Sequence, residues 1–286
     1  MNEYGLHLFD HHATLLRESA ISEDIARERG YCTVDQREQL GALGFTSVQQ
    51  QVPGLLIPVY DEVGAVALHQ FRPDQPRVKA FKAVKYETPS KARMAVDVPP
   101  RVRAHLGNPA RPLWITEGIR KADAAVSAGL ACLALLGVWN WRGRNDFATA
   151  VAHAIWEFIA LKNRLVYICF DSDVMIKQSV HEAVTRLGAF LTHRGATVVF
   201  VYLPTPDGRK IGLDDYLAAG GTIPDLVHTA RSEPLPQSKT EPVAASPLET
   251  TSASALSRPP AEILEGGAAL FDDVCSYIGR FVICPS

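Results

Sequence analysis

The 286-residue chain contains no run of about 18 consecutive apolar residues, so no segment reads as a membrane-spanning helix. Its five cysteines (Cys32, Cys132, Cys169, Cys275 and Cys284) are odd in number, scattered and never spaced C-x-x-C. That spacing argues against both a disulfide framework and a zinc ribbon. A formal net charge of −2 excludes a uniformly basic, histone-like protein. There is no G-x-x-x-x-G-K-[ST] loop, so ATP hydrolysis on a phosphate-cradling loop of that kind is not expected. Met1–Asp10 has neither a basic stretch nor an apolar one, so a secretory signal is not expected and the default compartment is cytoplasmic. The histidines, His11 and His12 included, show no ligand-like spacing with cysteine and read as surface residues.

The chain is 47% hydrophobic and 21% charged, a globular balance, with length for two domains of ordinary size. Charge is unevenly spread: Gln70–Lys121 carries twelve Lys or Arg against four acids, leaving a ten-acid excess elsewhere. Such a stretch is either a polyanion-binding face or a solvated surface.

Residues 10–50 read as two short helices, one opened by Ser22 and one by Thr33 or Asp35 and closed by Gly44. Leu55–Tyr60 and Ala65–Phe71 are strand-like runs around Asp61-Glu62-Val63-Gly64, a hairpin pattern. From Leu113 strands alternate with helices. Strands are expected at Leu113–Thr116, Leu130–Leu136, Leu165–Phe170 and Thr197–Leu203, with helices at Ile119–Ala128, Phe147–Leu161 and Val174–Arg194. That alternation predicts βαβ units around a parallel sheet. Ser232–Pro260 holds six Pro, six Ser and three Thr in 29 residues and reads as a linker. Residues 261–286 then read as a C-terminal helix, either docked on the body or opening a further, truncated module.

Carboxylates fall at the carboxyl ends of the predicted strands: Glu117 in "LWITEG", and Asp171 and Asp173 in "YICFDSD". In parallel sheets ligands bind outside those ends, so both motifs face one crevice. Converging carboxylates repel unless a cation or proton lies between them, and oxygen ligands without His or Cys favour Mg²⁺ or Mn²⁺. The alternative is that they cap the following helices. "GRKIGLDDYL" adds Lys210, Asp214 and Asp215, completing the acidic rim or capping a short helix.

This order of strand–Glu-Gly, strand–Asp-x-Asp and Lys-x-Gly-x-Asp-Asp resembles the Toprim domain over Pro112–Ala219. Bacterial-type DNA primases, type IA and type II topoisomerases and OLD-family nucleases share that domain. The preceding "LLIPVYDEVGAVALHQFRP" and "KYETPS" are similar to the primase segment ahead of Toprim, matching at Arg72, Lys85 and Tyr86. The overall pattern is similar to primase-like Toprim proteins of plasmids, phages and integrative elements, many joined to a helicase-type ATPase. The resemblance implies an α/β fold: a Toprim-type parallel sheet flanked by helices over residues 111–231, preceded by a smaller α+β primase-like subdomain over 1–110. The linker and C-terminal helix would follow at 232–260 and 261–286.

The implied activity is Mg²⁺- or Mn²⁺-dependent, primase-like nucleotidyl transfer on single-stranded DNA during mobile-element replication. Its substrates would be nucleotide triphosphates. Asp171, Asp173 and Asp214 would hold the metal, and Glu117 would serve as ligand or general base. Arg72, Lys82, Lys85, Tyr86, Arg93, Lys121 and Lys210 would contact template or triphosphate. Trp139 and Trp141 would stack on a base or lie in the core. The absence of a zinc ribbon and of a helicase-binding domain departs from replicative primases. It leaves open a non-catalytic nucleic-acid-binding accessory, and a Toprim nuclease is a further alternative. A haloacid-dehalogenase-type phosphatase is disfavoured, because the Asp pair comes late and Met175 stands where Thr or Val is usual.

Overall fold

The computed structural model describes residues 7–204 and 209–236, all within the first of two units into which the chain divides, Met1–Thr240 and Glu241–Ser286. Most of the expected linker and the expected C-terminal helix lie outside the described residues. The amino-terminal part runs α1 (Asp10–Glu18), α2 (Glu23–Arg29), β1 (Cys32–Val34), α3 (Arg37–Ala42), β2 (Gly54–Tyr60) and β3 (Val66–Pro73). The short strands β4 (Val78–Lys79), β5 (Lys82–Ala83) and β6 (Val96–Asp97) follow. Next come β7 (Leu113–Glu117), α4 (Ile119–Ser127), β8 (Ala131–Leu135), β9 (Arg142–Arg144) and β10 (Ala150–Ala152). The last elements are β11 (Leu165–Cys169), α5 (Gln178–His193), β12 (Thr197–Val201), α6 (Leu213–Ala218) and α7 (Ile223–Thr229). Among the described residues no helix is long and apolar enough to cross a membrane.

The principal sheet has strand order β12-β11-β7-β8-β6. The first four strands are mutually parallel, and their apolar runs are buried on both faces, as a sheet covered by helices requires. Trp114 and Tyr167 are register partners on β7 and β11 and stack with ring centroids 4.5 Å apart. The small residues Ala122, Ala124 and Ala125 are buried in α4, and their size permits close approach of that helix to the sheet. The wholly parallel sheet expected from the sequence is corrected at one edge. There β6 pairs antiparallel with β8, through Val96–Leu135 and Asp97–Ala134.

The edge strand is drawn in by charge. Asp97 meets the guanidinium of Arg29, which also binds Asp123 on α4, and all three side chains are fully buried. Arg29 makes two hydrogen bonds to each carboxylate, Tyr31 donates its hydroxyl to Asp123, and the Tyr60 amide donates to Asp97. One network therefore joins α2, β2, β6 and α4.

The second sheet, β1-β2-β3, is antiparallel and contains the expected hairpin, closed where Asp61 accepts from the amides of Val63 and Ala65. Three other expectations are corrected. Thr33 lies in β1 paired with Leu55, not at a helix start: Gly30 ends α2 in the left-handed region (φ 77°), and extended chain follows. Residues 147–161 form no amphipathic helix. Asn145 accepts from the amides of Phe147 and Thr149, which turns β9 into β10, and only a short 3-10 turn, Ala154–Glu157, follows. The helix expected over 174–194 begins at Gln178, after a separate turn at Ser172–Met175. His12 is not a surface residue. It is buried against Thr33 and Asp74, while His11 beside it is exposed.

Candidate functional site

Glu117 is the last residue of β7, and the turn after it has one backbone requirement. Gly118 sits at φ 94°, a value most side chains resist, and its amide donates to the Leu135 carbonyl at 2.8 Å. The Glu-Gly pair therefore turns the chain sharply into α4 and leaves Glu117 at the sheet's carboxyl edge. Asp171 and Asp173 leave the end of neighbouring β11, and Asp214 lies in the first turn of α6. Ser172, between the two aspartates, ties these segments together: its amide donates to the Ile211 carbonyl and its hydroxyl accepts from the Ile211 amide, both at 3.0 Å. Packing around Gly212 is tight, since a Cβ there would push aside Lys121 Cε and Asp214 Oδ1.

Asp171, Asp173 and Asp214 are 3%, 7% and 3% exposed. Lysine ammonium groups stand among them. Lys210 Nζ lies 2.8 Å from Asp171 Oδ2 and 3.0 Å from Asp173 Oδ2, so the two carboxylates face a common point. Lys121 Nζ is 2.7 Å from Asp171 Oδ1, and Lys177 Nζ is 2.5 Å from Asp173 Oδ2. Asp214 has the weaker company of Arg120, at 3.7 Å.

The protonation equilibria follow. Burial is the largest influence on Glu117 and raises its pKa; the Asp171 and Asp173 charges add to this, and Lys121 and Lys210 oppose it. Burial likewise raises Asp214 against Lys121 and Arg120. Burial pushes Asp173 upward too, but the hydrogen bonds from Lys177 and Lys210 outweigh it and the net shift is downward. Burial works against the charged form of Lys121, yet Asp171 holds its pKa above the ordinary lysine value.

No three of these acids place ligand atoms within 4.8 Å of one another; among the described residues only His11, His12 and Asp74 do so. The acidic donor set nevertheless fits a hard divalent cation. It offers carboxylate oxygens alone, and three buried ones (Oδ1 of Asp171, Asp173 and Asp214) accept no well-directed hydrogen bond. The side chains of Lys177 and Lys210 are about half exposed (57% and 49%), which leaves them room to swing away as a cation enters.

A cavity of about 290 Å³ opens beside this cluster, lined by Tyr86, Glu117, Arg120, Lys121 and Asp214 among others. Tyr86 is fixed there by Arg120, whose Nε donates to its hydroxyl at 2.9 Å. A second cavity, of about 890 Å³, lies along the β9–β10 hairpin and includes Arg93, Trp139 and Arg142. Arg93 is almost fully exposed. Trp139 is covered by the guanidinium groups of Arg142 and Arg186 at 4.6 and 5.6 Å, and Trp141 is buried against Phe190. Lys82 and Lys85 are exposed, on and just beyond β5, and Arg72 is half-buried on β3; none of the three lines either cavity.

The sequence reading missed Arg120, Ser172 and Lys177. Position i+4 from Asp173 was the available signal for Lys177. Nothing local marked Ser172, whose partner is 39 residues away.

Residues 104–223 match the model of a domain of unknown function, DUF3854. An uncharacterized protein of Picosynechococcus sp. is 33% identical over 125 residues, 41% of this chain and 12% of the relative, so the chain spans only a small part of that protein's length. Among solved structures, the zinc-binding and RNA polymerase domains of the Aquifex aeolicus primase superpose with TM-score 0.55 at 16% identity, covering 78% of this chain and 56% of that one. A DNA primase domain from Pseudomonas aeruginosa gives TM-score 0.52 at 16% identity, covering 78% and 72%. A DnaG primase catalytic domain bound to single-stranded DNA gives 0.52 at 16% identity, covering 77% and 72%. The chain therefore has a mixed α/β fold similar to that of bacterial primase catalytic cores.

Proposed function

We propose that the chain is a Toprim-type, divalent-metal-dependent, primase-like nucleotidyltransferase acting on single-stranded DNA. The observation that carries this reading is the acidic cluster at the carboxyl edge of the parallel sheet. One buried oxygen (Oδ1) of each aspartate accepts no well-directed hydrogen bond, while Oδ2 of Asp171 and Asp173 is held by the half-exposed ammonium groups of Lys210 and Lys177, next to a Glu117 of raised pKa. Asp171, Asp173 and Asp214 would hold Mg²⁺ or Mn²⁺. The cation, when bound, neutralises charge developing on the transferred phosphoryl group. Glu117 accepts the proton of the attacking 3′-hydroxyl, and its upward shift makes it a better base than an ordinary carboxylate. Lys121 and Arg120 face the adjoining cavity and bind triphosphate oxygens, while Lys82, Lys85, Arg72 and Arg93 contact the template backbone.

The same reading places the chain in mobile-element replication in the cytoplasm, with a helicase-type ATPase as partner. It divides the chain into a primase-like region over 1–110 and a Toprim region over 111–231. One observation favours a second reading, a non-catalytic nucleic-acid-binding accessory: lysines already neutralise Asp171 and Asp173.

The test is Mg²⁺- or Mn²⁺-dependent nucleotide incorporation on single-stranded DNA. Glu117→Gln should lower incorporation at least ~10²-fold, the low end for loss of a general base, with DNA affinity nearly unchanged. A variant working at the parental rate removes Glu117 from the chemistry. A parent that binds DNA but neither incorporates nucleotides nor cleaves DNA in Mg²⁺ or Mn²⁺, with its ATPase partner present, favours the accessory reading.

A further inference from the structure

Apart from the acidic cluster, one group of side chains has the makings of a cation site. His11 and His12 open α1, and Asp74 follows the end of β3. His11 Nε2 lies 2.8 Å from Asp74 Oδ2, and His12 Nε2 lies 2.8 Å from Asp74 Oδ1. Two imidazoles, with ring centroids 4.1 Å apart, thus converge on the two oxygens of one carboxylate. The geometry points to a site for a first-row transition-metal dication of the zinc type. His11, His12 and Asp74 are its protein ligands, and a solvent molecule takes the remaining position on the side of exposed His11.

Three physical points support it. The ligand chemistry is two imidazole nitrogens and a carboxylate oxygen, the set that suits zinc and its neighbours rather than magnesium. The geometry is close: zinc bonds of about 2.0–2.1 Å in a tetrahedron place ligand atoms about 3.3 Å apart. The 2.8 Å separations must therefore open by only about half an ångström, which exposed His11 and partly exposed Asp74 can supply while buried His12 stays in place.

The third point is the support behind His12. Thr33 Oγ1 accepts from the Phe9 amide at 2.9 Å and lies 2.7 Å from His12 Nδ1. A hydroxyl can accept twice or donate once, so Thr33 serves either tautomer of His12. With Nδ1–H donating to Thr33, Nε2 turns a lone pair toward the Asp74 oxygen. A cation resolves that repulsion, and an outer hydrogen bond of this kind orients metal-bound histidines generally. The positive charge of Arg72 lies close enough to His12 to oppose the incoming cation, a cost that the ligand set must outweigh. The site clasps α1 to the end of β3, some 60 residues later in the chain.

The inference does not depend on the proposed function. Its test uses the full chain, Zn²⁺ as probe and a chromophoric chelator as competitor. The parent should bind one Zn²⁺, and so should the Asp171→Asn, Asp173→Asn double variant, while excess Mg²⁺ should not displace it. Binding should raise the melting temperature by mass action. His11→Ala and Asp74→Asn, each checked for native circular dichroism, should weaken binding by more than about tenfold, since even the outer partners of metal ligands are worth 10–100-fold. X-ray absorption should show nitrogen and oxygen neighbours only. No stoichiometric binding by the parent, equal affinity in either variant, or a sulfur neighbour from one of the cysteines would overturn the proposal.

Discussion

Removing Arg29 probes the packing of the fold most directly, because that one side chain neutralises two carboxylates that no water reaches. Arg29, Asp97 and Asp123 are each fully buried, and the guanidinium spends four hydrogen bonds on the two acids and a fifth on the Pro58 carbonyl. Breaking a buried ion pair by deleting one partner costs about 3–5 kcal/mol, most of it the penalty of the charge left behind. Two carboxylates are stranded in Arg29→Ala, so the expected loss is at the upper end, about 5 kcal/mol, against a total stability of about 5–15 kcal/mol. At about 2–4 °C per kcal/mol for a domain of this size, the melting temperature should fall by about 10–20 °C.

The pH dependence gives a second, sharper check. Even with Arg29 present, burial is the dominant influence on Asp97 and raises its pKa above the unfolded value. A carboxylate of raised folded pKa binds protons more tightly in the native state, so it adds stability as pH falls and loses it as pH rises through the folded pKa. Without the guanidinium that window widens upward, and the deficit of Arg29→Ala should shrink between neutral pH and about pH 5. Urea unfolding followed by circular dichroism at both pH values measures it. A loss below about 1 kcal/mol, or one indifferent to pH, would refute the claim that these charges depend on one another.

Two further outcomes follow from the site. Mg²⁺ should raise the melting temperature of the parent but not of the Asp171→Asn, Asp173→Asn double variant, as read by scanning fluorimetry; equal shifts would remove the acidic cluster as a metal site. Single-stranded DNA binding should weaken with salt. Replacing Lys82 and Lys85 by Ala should flatten the logarithmic salt slope by up to about 1.4, at about 0.7 for each phosphate no longer neutralised, and an unchanged slope in filter binding would return both lysines to a solvated surface.

The elements legible in the sequence are those whose burial is two-sided or whose turn chemistry is local. The strands β7, β8, β11 and β12 read as apolar runs because most of their residues are buried whichever face they point to. The β2–β3 hairpin announced itself through the turn residues at Asp61–Gly64. What misled was periodicity without its tertiary setting. Ile155, Trp156 and Ile159 are spaced as on a helix face and are indeed buried. Yet the Trp156 indole donates to the Trp141 carbonyl, and β10 pairs back on β9, so the segment closes as a hairpin and a short turn. The antiparallel edge strand β6 has two residues and no pattern of its own; a buried arginine 68 positions earlier holds it in place.

The site divides along the same line. Glu117, Asp171 and Asp173 were legible because strand ends in a parallel sheet place side chains at a common edge, an inference that needs only the order of elements, whereas Asp214, in the first turn of α6, read equally as rim or helix cap. Their electrostatic state was not, because it is set by side chains reaching in from other segments. Lys121 comes from α4 and Lys210 from the loop before α6. Lys121 and Lys210 thus do two things that sequence spacing cannot show. They allow four carboxylates, three of them buried, to stand at one sheet edge, which mutual repulsion would otherwise disfavour. They also set a threshold, because a metal must displace ammonium groups rather than water. The same logic makes the His11–His12–Asp74 group invisible along the chain: the histidines are adjacent but their carboxylate lies beyond β3, and only the fold turns a surface-looking His-His pair into a three-ligand cluster.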